Sequence, residues 1–155
     1  MLEIIIMSAK SYVLTCLSVI FFCLSAVVQA TEETPMSIPG GVYISVDQAK
    51  KQFDEGVLFV DARVAAEYAE EHIKGAVNVV YKETYPREAK TDPADTFDVT
   101  KLPQDKDKAL VFYCNGSPCW KGYKGAEAAI KSGYKQVYWF RDGLPAWTAK
   151  GFPVE

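Results

Sequence analysis

The stretch Val57-Leu-Phe-Val60 is a continuous apolar run that leads directly into Asp61. Such a run is typical of a strand that is covered on both faces, as strands of parallel sheets are. A short Ala- and Glu-rich stretch of helical composition follows at residues 63–71, and Gly75-Ala-Val-Asn-Val-Val80 returns to a strand pattern. This alternation of strand and helix predicts an α/β domain with a mainly parallel sheet.

The alternation continues on both sides of this unit. A short strand at residues 42–44 precedes a helix that begins at Ser45, which forms a capping box with Gln48, and that ends at Gly56. Residues 109–113 are the clearest buried strand, and they are followed by a helix at about 118–132, a strand at 136–140 and a helical turn at 144–150. Residues 81–107 are polar and contain three prolines, which predicts a long solvated excursion with room for one helical turn.

Composition limits the class of protein. The chain has 155 residues, of which 49% are hydrophobic and 24% are charged, and these values describe one ordinary globular domain. The formal net charge of -3 argues against nucleic acid as a partner, because binding to phosphates requires a basic face.

The first thirty residues differ from the rest of the chain. An uncharged apolar run follows Lys10, and Val28 and Ala30 are small residues at positions minus three and minus one of a cleavage site. This pattern predicts a signal peptide at 1–30, cleaved after Ala30, an exported domain at 31–155 and a periplasmic location without membrane attachment. An uncleaved membrane anchor is the alternative. Cys16 and Cys23 belong to the leader in either case.

The two remaining cysteines, Cys114 and Cys119, are a disulfide candidate in an oxidising compartment. Cys114 directly follows the clearest buried strand, which is where α/β sheets usually bind ligands. Ser117-Pro118 is a helix-start signal, with Ser117 as the N-cap, and it places Cys119 in the first helical turn. Trp120 is expected to pack in the core, with a wall of the binding pocket as the alternative.

The residues between the cysteines favour an anion cradle. Gly116 can take a positive φ, so that the amides of Asn115, Gly116 and Ser117 converge beside the helix that starts at Pro118. These amides and the helix dipole stabilise negative charge, so we expect the pKa of Cys114 to fall from about 8.5 toward the range of roughly 3.5 to 7.5. Cys114 is therefore the candidate nucleophile.

Two segments resemble the rhodanese homology domain. Residues 61–78, Asp-Ala-Arg-Val-Ala-Ala-Glu-Tyr-Ala-Glu-Glu-His-Ile-Lys-Gly-Ala-Val-Asn, are similar to the first signature of that family, and residues 133–153 are similar to its closing pattern. The resemblance implies a three-layer domain in which helices flank a central parallel sheet. It also implies a structural network of Asp61, Arg63, Glu67 and His72, with Arg63 as an alternative contact for an anionic substrate.

Rhodaneses carry sulfane sulfur as a persulfide on a loop cysteine, and the resemblance places that nucleophile at Cys114. The loop differs from the common pattern Cys-x-x-Gly-x-Arg-Ser, because Cys119 and Trp120 stand where Arg and Ser are usual. Weaker binding of thiosulfate or of phosphoesters is the expected consequence. The loop is similar to that of exported rhodanese-like proteins marked by a second cysteine followed by Trp.

Three functions remain open at this point. The first is a sulfurtransferase that uses Cys114, with a small sulfur-containing anion as donor, a thiol or cyanide as acceptor, and Cys119 as a resolving thiol. The second is a dithiol/disulfide redox protein that uses both cysteines with an exported redox partner. The third is a binding module without turnover. No cofactor is expected, and no metal site, since two thiols are fewer ligands than a closed zinc site uses.

Overall fold

The computed structural model describes residues 32–155. The predicted signal peptide, its cleavage after Ala30, and the cysteines Cys16 and Cys23 lie outside the described residues, so these points stay predictions. Within residues 32–155, no helix is both long enough and apolar enough to cross a membrane.

A five-stranded parallel sheet forms the centre of the domain. Its strands are β1 (Val42–Tyr43), β2 (Leu58–Asp61), β3 (Val77–Asn78), β4 (Leu110–Tyr113) and β5 (Val137–Phe140), in the spatial order β1-β5-β4-β2-β3. β4 lies in the middle of the sheet, where Tyr113 pairs with Asp61 on one side and with Phe140 on the other. The predicted α/β class with a parallel sheet is confirmed.

Helices cover both faces of this sheet. They are α1 (Val46–Asp54), α2 (Ala65–Glu70), α3 (Trp120–Lys131) and α4 (Gly143–Ala149). Alternate residues of β4 face opposite sides: Phe112 packs with Ala126 and Ala129 of α3, whereas Tyr113 packs in the cluster that contains Trp147 of α4. The central strand is thus covered on both faces, which explains its unbroken apolar sequence.

The element boundaries follow the local sequence signals closely. Ser45 caps α1 as predicted: its backbone N–H donates to the Gln48 side chain at 2.8 Å, and its hydroxyl accepts from the Gln48 amide at 3.3 Å. Four of the strands are shorter than expected by one to four residues, and β2 has the expected length but begins and ends one residue later. The excursion at 81–107 contains one turn of 3-10 helix, Val99–Lys101, and a bridge between Lys82 and Thr96. The expectation that its charges are all solvated is wrong for Glu83, whose side chain is only 4% exposed.

Candidate active site

A loop of six residues, 114–119, connects β4 to α3 and is called the cysteine loop below. Cys114 follows the last residue of β4, and a disulfide joins it to Cys119, with 6.1 Å between the two Cα atoms. This separation lies within the range of about 4.4 to 6.8 Å that disulfides usually span. The structure therefore brings the two cysteines together at the carboxyl end of the central strand.

The start of α3 differs from the sequence prediction. The helix begins at Trp120, with Cys119 in extended conformation at the N-cap, so Cys119 is not in the first helical turn and Ser117 is not the N-cap. The Cys119 amide donates to the Gly116 carbonyl at 3.0 Å, which closes a turn over residues 116–119. This turn, together with the bridge to Cys114, holds Cys119 outside the helix and delays its start.

The backbone of the cysteine loop offers unpaired donors. Gly116 has a φ of 94°, the positive value that was expected of it. In the described part of the chain, no residue accepts a hydrogen bond from the amides of Asn115, Gly116 or Ser117. Three successive free amides beside a cysteine can stabilise a thiolate or a bound anion.

The start of α4 packs against the backbone of the cysteine loop. The Leu144 amide donates to the Cys114 carbonyl at 3.0 Å. Gly143 makes this approach possible, because a Cβ atom at that position would lie 2.1 Å from the Cys114 carbonyl oxygen. The Arg-Asp-Gly turn after β5 thus fixes where the backbone of Cys114 lies.

Residues 32–35, called the N-terminal segment below, also contact the cysteine loop and the start of α3. Both the backbone N–H and the hydroxyl of Thr34 donate to the Ser117 carbonyl, at 2.9 and 2.8 Å. The indole N–H of Trp120 donates to the Glu32 carbonyl at 2.9 Å. Thr34 is almost fully buried. Sequence reasoning missed this segment, because nothing in a polar stretch of this kind signals a contact with a loop so far along the chain.

A buried charge network links the first signature to the cysteine loop. Arg63 is 4% exposed and pairs with Asp61, with 2.7 Å between Nη2 and Oδ2. Its Nη1 donates to the Asn115 side-chain oxygen at 3.2 Å, and the Asn115 amide group donates to Glu67 at 2.5 Å. Arg63 and Glu67 of the predicted network therefore meet at Asn115, which they orient, and Asp61 holds Arg63 in place.

The guanidinium of Arg63 is fully engaged in this network. Besides Asp61 and Asn115 it donates to the Glu71 carbonyl at 2.6 Å. Burial lowers the pKa of Arg63, but its hydrogen bonds to Asp61 and the charge of that residue outweigh burial and raise the pKa overall. Arg63 thus remains charged and occupied, and this geometry favours its structural role over contact with a substrate.

His72 lies away from the cysteine loop. Its Nδ1 is 2.8 Å from the Tyr68 carbonyl, its ring stacks on Tyr68 with 3.7 Å between centroids, and its Nε2 is 3.5 Å from Glu155. These contacts tie α2 to the C-terminal residues, and they match the local structural role expected for this histidine.

An open cleft of about 300 Å³ lies beside the cysteine loop. Cys119 and Trp120 line it, whereas Cys114 has no exposed surface. Trp120 was predicted to pack in the core or to form a wall of the pocket, and it does both. The residue is only 4% exposed, its ring packs edge-on against Tyr123, and it also lines the cleft. The cleft is completed by Glu67, Glu83, Pro86, Arg87, Asn115, Pro118 and Lys121.

Two lysines and one glutamate form a largely buried triad at the wall of the cleft. Glu83 bonds to Lys121 and, at 2.9 Å, to Lys124, whose side chain is 1% exposed and also donates to the Tyr85 carbonyl at 3.0 Å. Sequence reasoning missed these residues. A signal existed, because Lys124 lies four positions after Trp120 on the apolar stripe of the helix, where a charge requires a buried partner.

The triad gives a testable prediction of stability. We expect Glu83→Gln to lower the free energy of unfolding by about 3 kcal/mol, because it leaves the buried Lys124 ammonium without a carboxylate. Lys121→Gln is the matched control: it keeps the Lys124 pair, so its expected effect is about 1 kcal/mol or less. Urea denaturation measures the free energy of unfolding of both variants. Equal losses in Glu83→Gln and Lys121→Gln would show that the buried Lys124 does not depend on the Glu83 carboxylate.

Metal ligands are not clustered in this domain. Among residues 32–155, no group of three or more His, Cys, Asp or Glu side chains is arranged to hold a metal ion.

Comparison with known proteins matches the family described as the Rhodanese-like domain to residues 45–150. The chain belongs to the rhodanese family. The match covers every strand from β2 to β5, the cysteine loop and the network around Arg63. Of the geometry described above, the N-terminal segment, β1 and the contact of His72 with Glu155 extend beyond the matched residues.

Relatives of this rhodanese domain occur in different protein contexts. The rhodanese-like domain-containing protein 17 of Arabidopsis thaliana is 30% identical over 127 residues, which cover 79% of this chain and 78% of the relative. A tRNA uridine(34) hydroxylase of Yersinia pestis is also 30% identical, over 126 residues and 74% of this chain, but the match spans only 31% of the hydroxylase.

Solved structures share the fold at lower identity. A Bacillus halodurans protein superposes with a TM-score of 0.55 at 22% identity, covering 73% of this chain and 75% of its own. A thiosulfate sulfurtransferase of Pseudomonas aeruginosa gives a TM-score of 0.54 at 19% identity, covering 73% of this chain and 20% of its own. At such identities the likeness concerns the fold alone.

Proposed function

We propose that this rhodanese-like protein is a sulfurtransferase that carries sulfane sulfur as a persulfide on Cys114 and releases it with the help of Cys119. One observation carries the proposal. Cys114 lies at the end of the central strand beside three amides that lack acceptors in the described chain, and Cys119 lies within disulfide distance of it. An anionic sulfur on Cys114 is stabilised there, and a second thiol is in reach of the same sulfur.

The first step forms the persulfide. With both cysteines reduced, the Cys114 thiolate attacks the outer, sulfane sulfur of a donor such as thiosulfate. The bond between the two donor sulfurs breaks, sulfite leaves with the electron pair, and Cys114 holds one additional sulfur as a persulfide anion. We expect the free amides of the cysteine loop to stabilise this charge.

The second step releases the sulfur. An external thiol or cyanide can take the outer sulfur and regenerate the Cys114 thiolate. Alternatively, the Cys119 thiolate attacks Sγ of Cys114, expels the outer sulfur as hydrosulfide, and forms the disulfide that the structure contains. In this second route the two cysteines are oxidised, and the sulfane sulfur is reduced to sulfide.

A dithiol/disulfide redox function is the second candidate. The observation that favours it is the same disulfide, since a bridge between Cys114 and Cys119 needs no sulfur donor. The two functions share the cysteine pair and differ only in whether a sulfur atom passes over Cys114. In either case the setting that we propose is the periplasm, after removal of the leader, with a small sulfur-containing anion, a thiol acceptor or an exported redox protein as partner.

Thiosulfate treatment of the reduced mature protein tests the proposal. The expected products are sulfite and sulfide, each in an amount equal to that of the protein, together with the disulfide that forms as sulfide leaves. Sulfite and sulfide assays and intact mass spectrometry measure these products. Cys114→Ser is expected to lower both products to the background of buffer, a loss of about a hundredfold or more for a missing nucleophile.

The other outcomes point to other functions. If neither sulfite nor a persulfide forms while the bridge opens and closes reversibly with redox buffer, the protein is the dithiol redox protein instead. If neither a sulfur adduct nor a bridge appears, the binding module without turnover is correct.

A further inference from the structure

The two cysteines of the disulfide differ in their exposure to solvent. Cys114 has no exposed surface, and its backbone is enclosed by the start of α4 through the Leu144 amide and the close approach of Gly143. Cys119 is partly exposed and lines the open cleft. An external thiol that enters the cleft therefore meets the sulfur of Cys119 first.

The two sulfurs also differ as leaving groups. A departing Cys114 thiolate would lie beside the free amides of Asn115, Gly116 and Ser117. The Cys119 amide, in contrast, is already bonded to the Gly116 carbonyl. In thiol–disulfide exchange the sulfur that is attacked depends on access, and the better stabilised thiolate leaves faster. Access and leaving-group stability thus favour the same direction of attack.

We propose that an external dithiol reduces this protein by attacking Sγ of Cys119, so that Cys119 forms the mixed disulfide and Cys114 leaves as the thiolate. This inference rests on the proposed function, where it completes the cycle after sulfide release. The two cysteines then have different roles in the two halves of the cycle. Cys114 receives the sulfur from the donor during sulfur transfer, and Cys119 is attacked by the external thiol during reduction of the disulfide.

The bonds and electrons balance in two steps. First, one thiolate of the partner bonds to Sγ of Cys119, the bond between Cys119 and Cys114 breaks, and its electron pair stays on Cys114. Second, the other thiolate of the partner attacks the partner sulfur of the mixed disulfide and expels the Cys119 thiolate. The partner loses two electrons and becomes a disulfide, and both cysteines of the protein are reduced.

The cleft suits an anionic nucleophile. Arg87 and Lys121 line it together with Cys119. Lys121 and Lys124 share the single carboxylate of Glu83, so the triad keeps one positive charge in excess. A thiolate near these cationic groups is attracted to them electrostatically. Glu67 also lines the cleft, so Arg87, Lys121 and Lys124 together exceed the carboxylates of Glu67 and Glu83 by one positive charge. The partner is therefore a protein or small molecule that presents an accessible thiolate to this cleft.

The test uses the oxidised wild-type protein and no sulfur donor. The probe is a thioredoxin whose second active-site cysteine is replaced by serine, and the reaction is quenched with acid within seconds. Peptide mapping is expected to place the probe on Cys119 in about tenfold or greater excess over Cys114. A probe found mainly on Cys114, or equally on both cysteines, overturns the inference.

A rate measurement decides the question if no mixed disulfide survives the quench. Reduction by mercaptoethanesulfonate is expected to slow about fivefold or more in Arg87→Glu, as expected for reversing one charge near the attacked sulfur. Lys108→Glu is the matched control, because Lys108 is exposed near the opposite end of β4 and does not line this cleft. Equal rates for the wild-type protein and both variants overturn the inference.

These outcomes separate the inference from the proposed function. If thiosulfate never yields a persulfide but the probe still maps to Cys119, the sulfurtransferase proposal fails and the direction of attack stands. If the persulfide forms and the probe maps to Cys114, the sulfurtransferase proposal stands and the inferred direction of attack fails.

Discussion

We expect Cys119→Ser protein treated with thiosulfate to accumulate a persulfide on Cys114, and we expect the wild-type protein to release that sulfur as sulfide. The reason is proximity: the Cα atoms of Cys114 and Cys119 are 6.1 Å apart, so Cys119 acts as an intramolecular nucleophile. Intramolecular thiols react as if present at concentrations far above those of free thiols in solution. We therefore expect sulfide release without added thiol to fall by about a hundredfold or more in Cys119→Ser.

Intact mass spectrometry measures this as a stable gain of one sulfur atom, and cyanide treatment removes that sulfur as thiocyanate. Cys114→Ser is the matched control, with the same chemical change at the other end of the bridge, and it gains no sulfur. Sulfide release from Cys119→Ser at the wild-type rate would show that Cys119 does not resolve the persulfide, while leaving Cys114 as its carrier.

Gly143→Ala is expected to be among the most damaging small substitutions in the domain. Gly143 has a φ of 57°, and an alanine Cβ there would lie 2.1 Å from the Cys114 carbonyl oxygen and 2.8 Å from the Gly116 amide nitrogen. The left-handed backbone and the clash with main-chain atoms each cost about 1 to 3 kcal/mol. We expect a loss of about 3 kcal/mol or more in the free energy of unfolding, together with a displaced cysteine loop.

Gly151→Ala separates the clash from the backbone effect. Gly151 has a φ of 66°, but a Cβ atom there would meet nothing within 4 Å. Its expected loss is about 1 kcal/mol, the cost of an alanine in the left-handed region alone. Denaturant unfolding followed by Trp fluorescence compares the two variants. Similar losses in the free energy of unfolding of both variants would mean that the close approach of Gly143 to the cysteine loop does not contribute to stability.

The fold was predictable because its signals are local. The apolar runs before Asp61 and Cys114 and the capping box at Ser45 each depend on a few neighbouring residues, and the structure has strands and a helix at these places. Four of the five strands are shorter than predicted, although Ile44 and Val79, just beyond two of them, still donate backbone hydrogen bonds to neighbouring strands.

The candidate site was predictable only in part. The motif of residues 61–78 and the position of Cys114 indicated the loop and its charge network. The start of α3 could not be read correctly, because Ser117-Pro118 is a good helix start locally and the bridge between the cysteines overrides it. The triad around Glu83 was also missed, since it depends on how a long polar excursion folds back over α3.

The double hydrogen bond from Thr34 to Ser117 joins residues that are 83 positions apart, and the Leu144 amide holds Cys114 from near the other end of the chain. The cysteine loop is therefore held by contacts from two distant parts of the chain, in addition to its own turn and disulfide. A growing chain that stops before Leu144 presents both thiols without their scaffold. We expect the loop to reach its final shape only after both of these long-range contacts have formed, because contacts of large sequence separation carry the larger cost of loop closure.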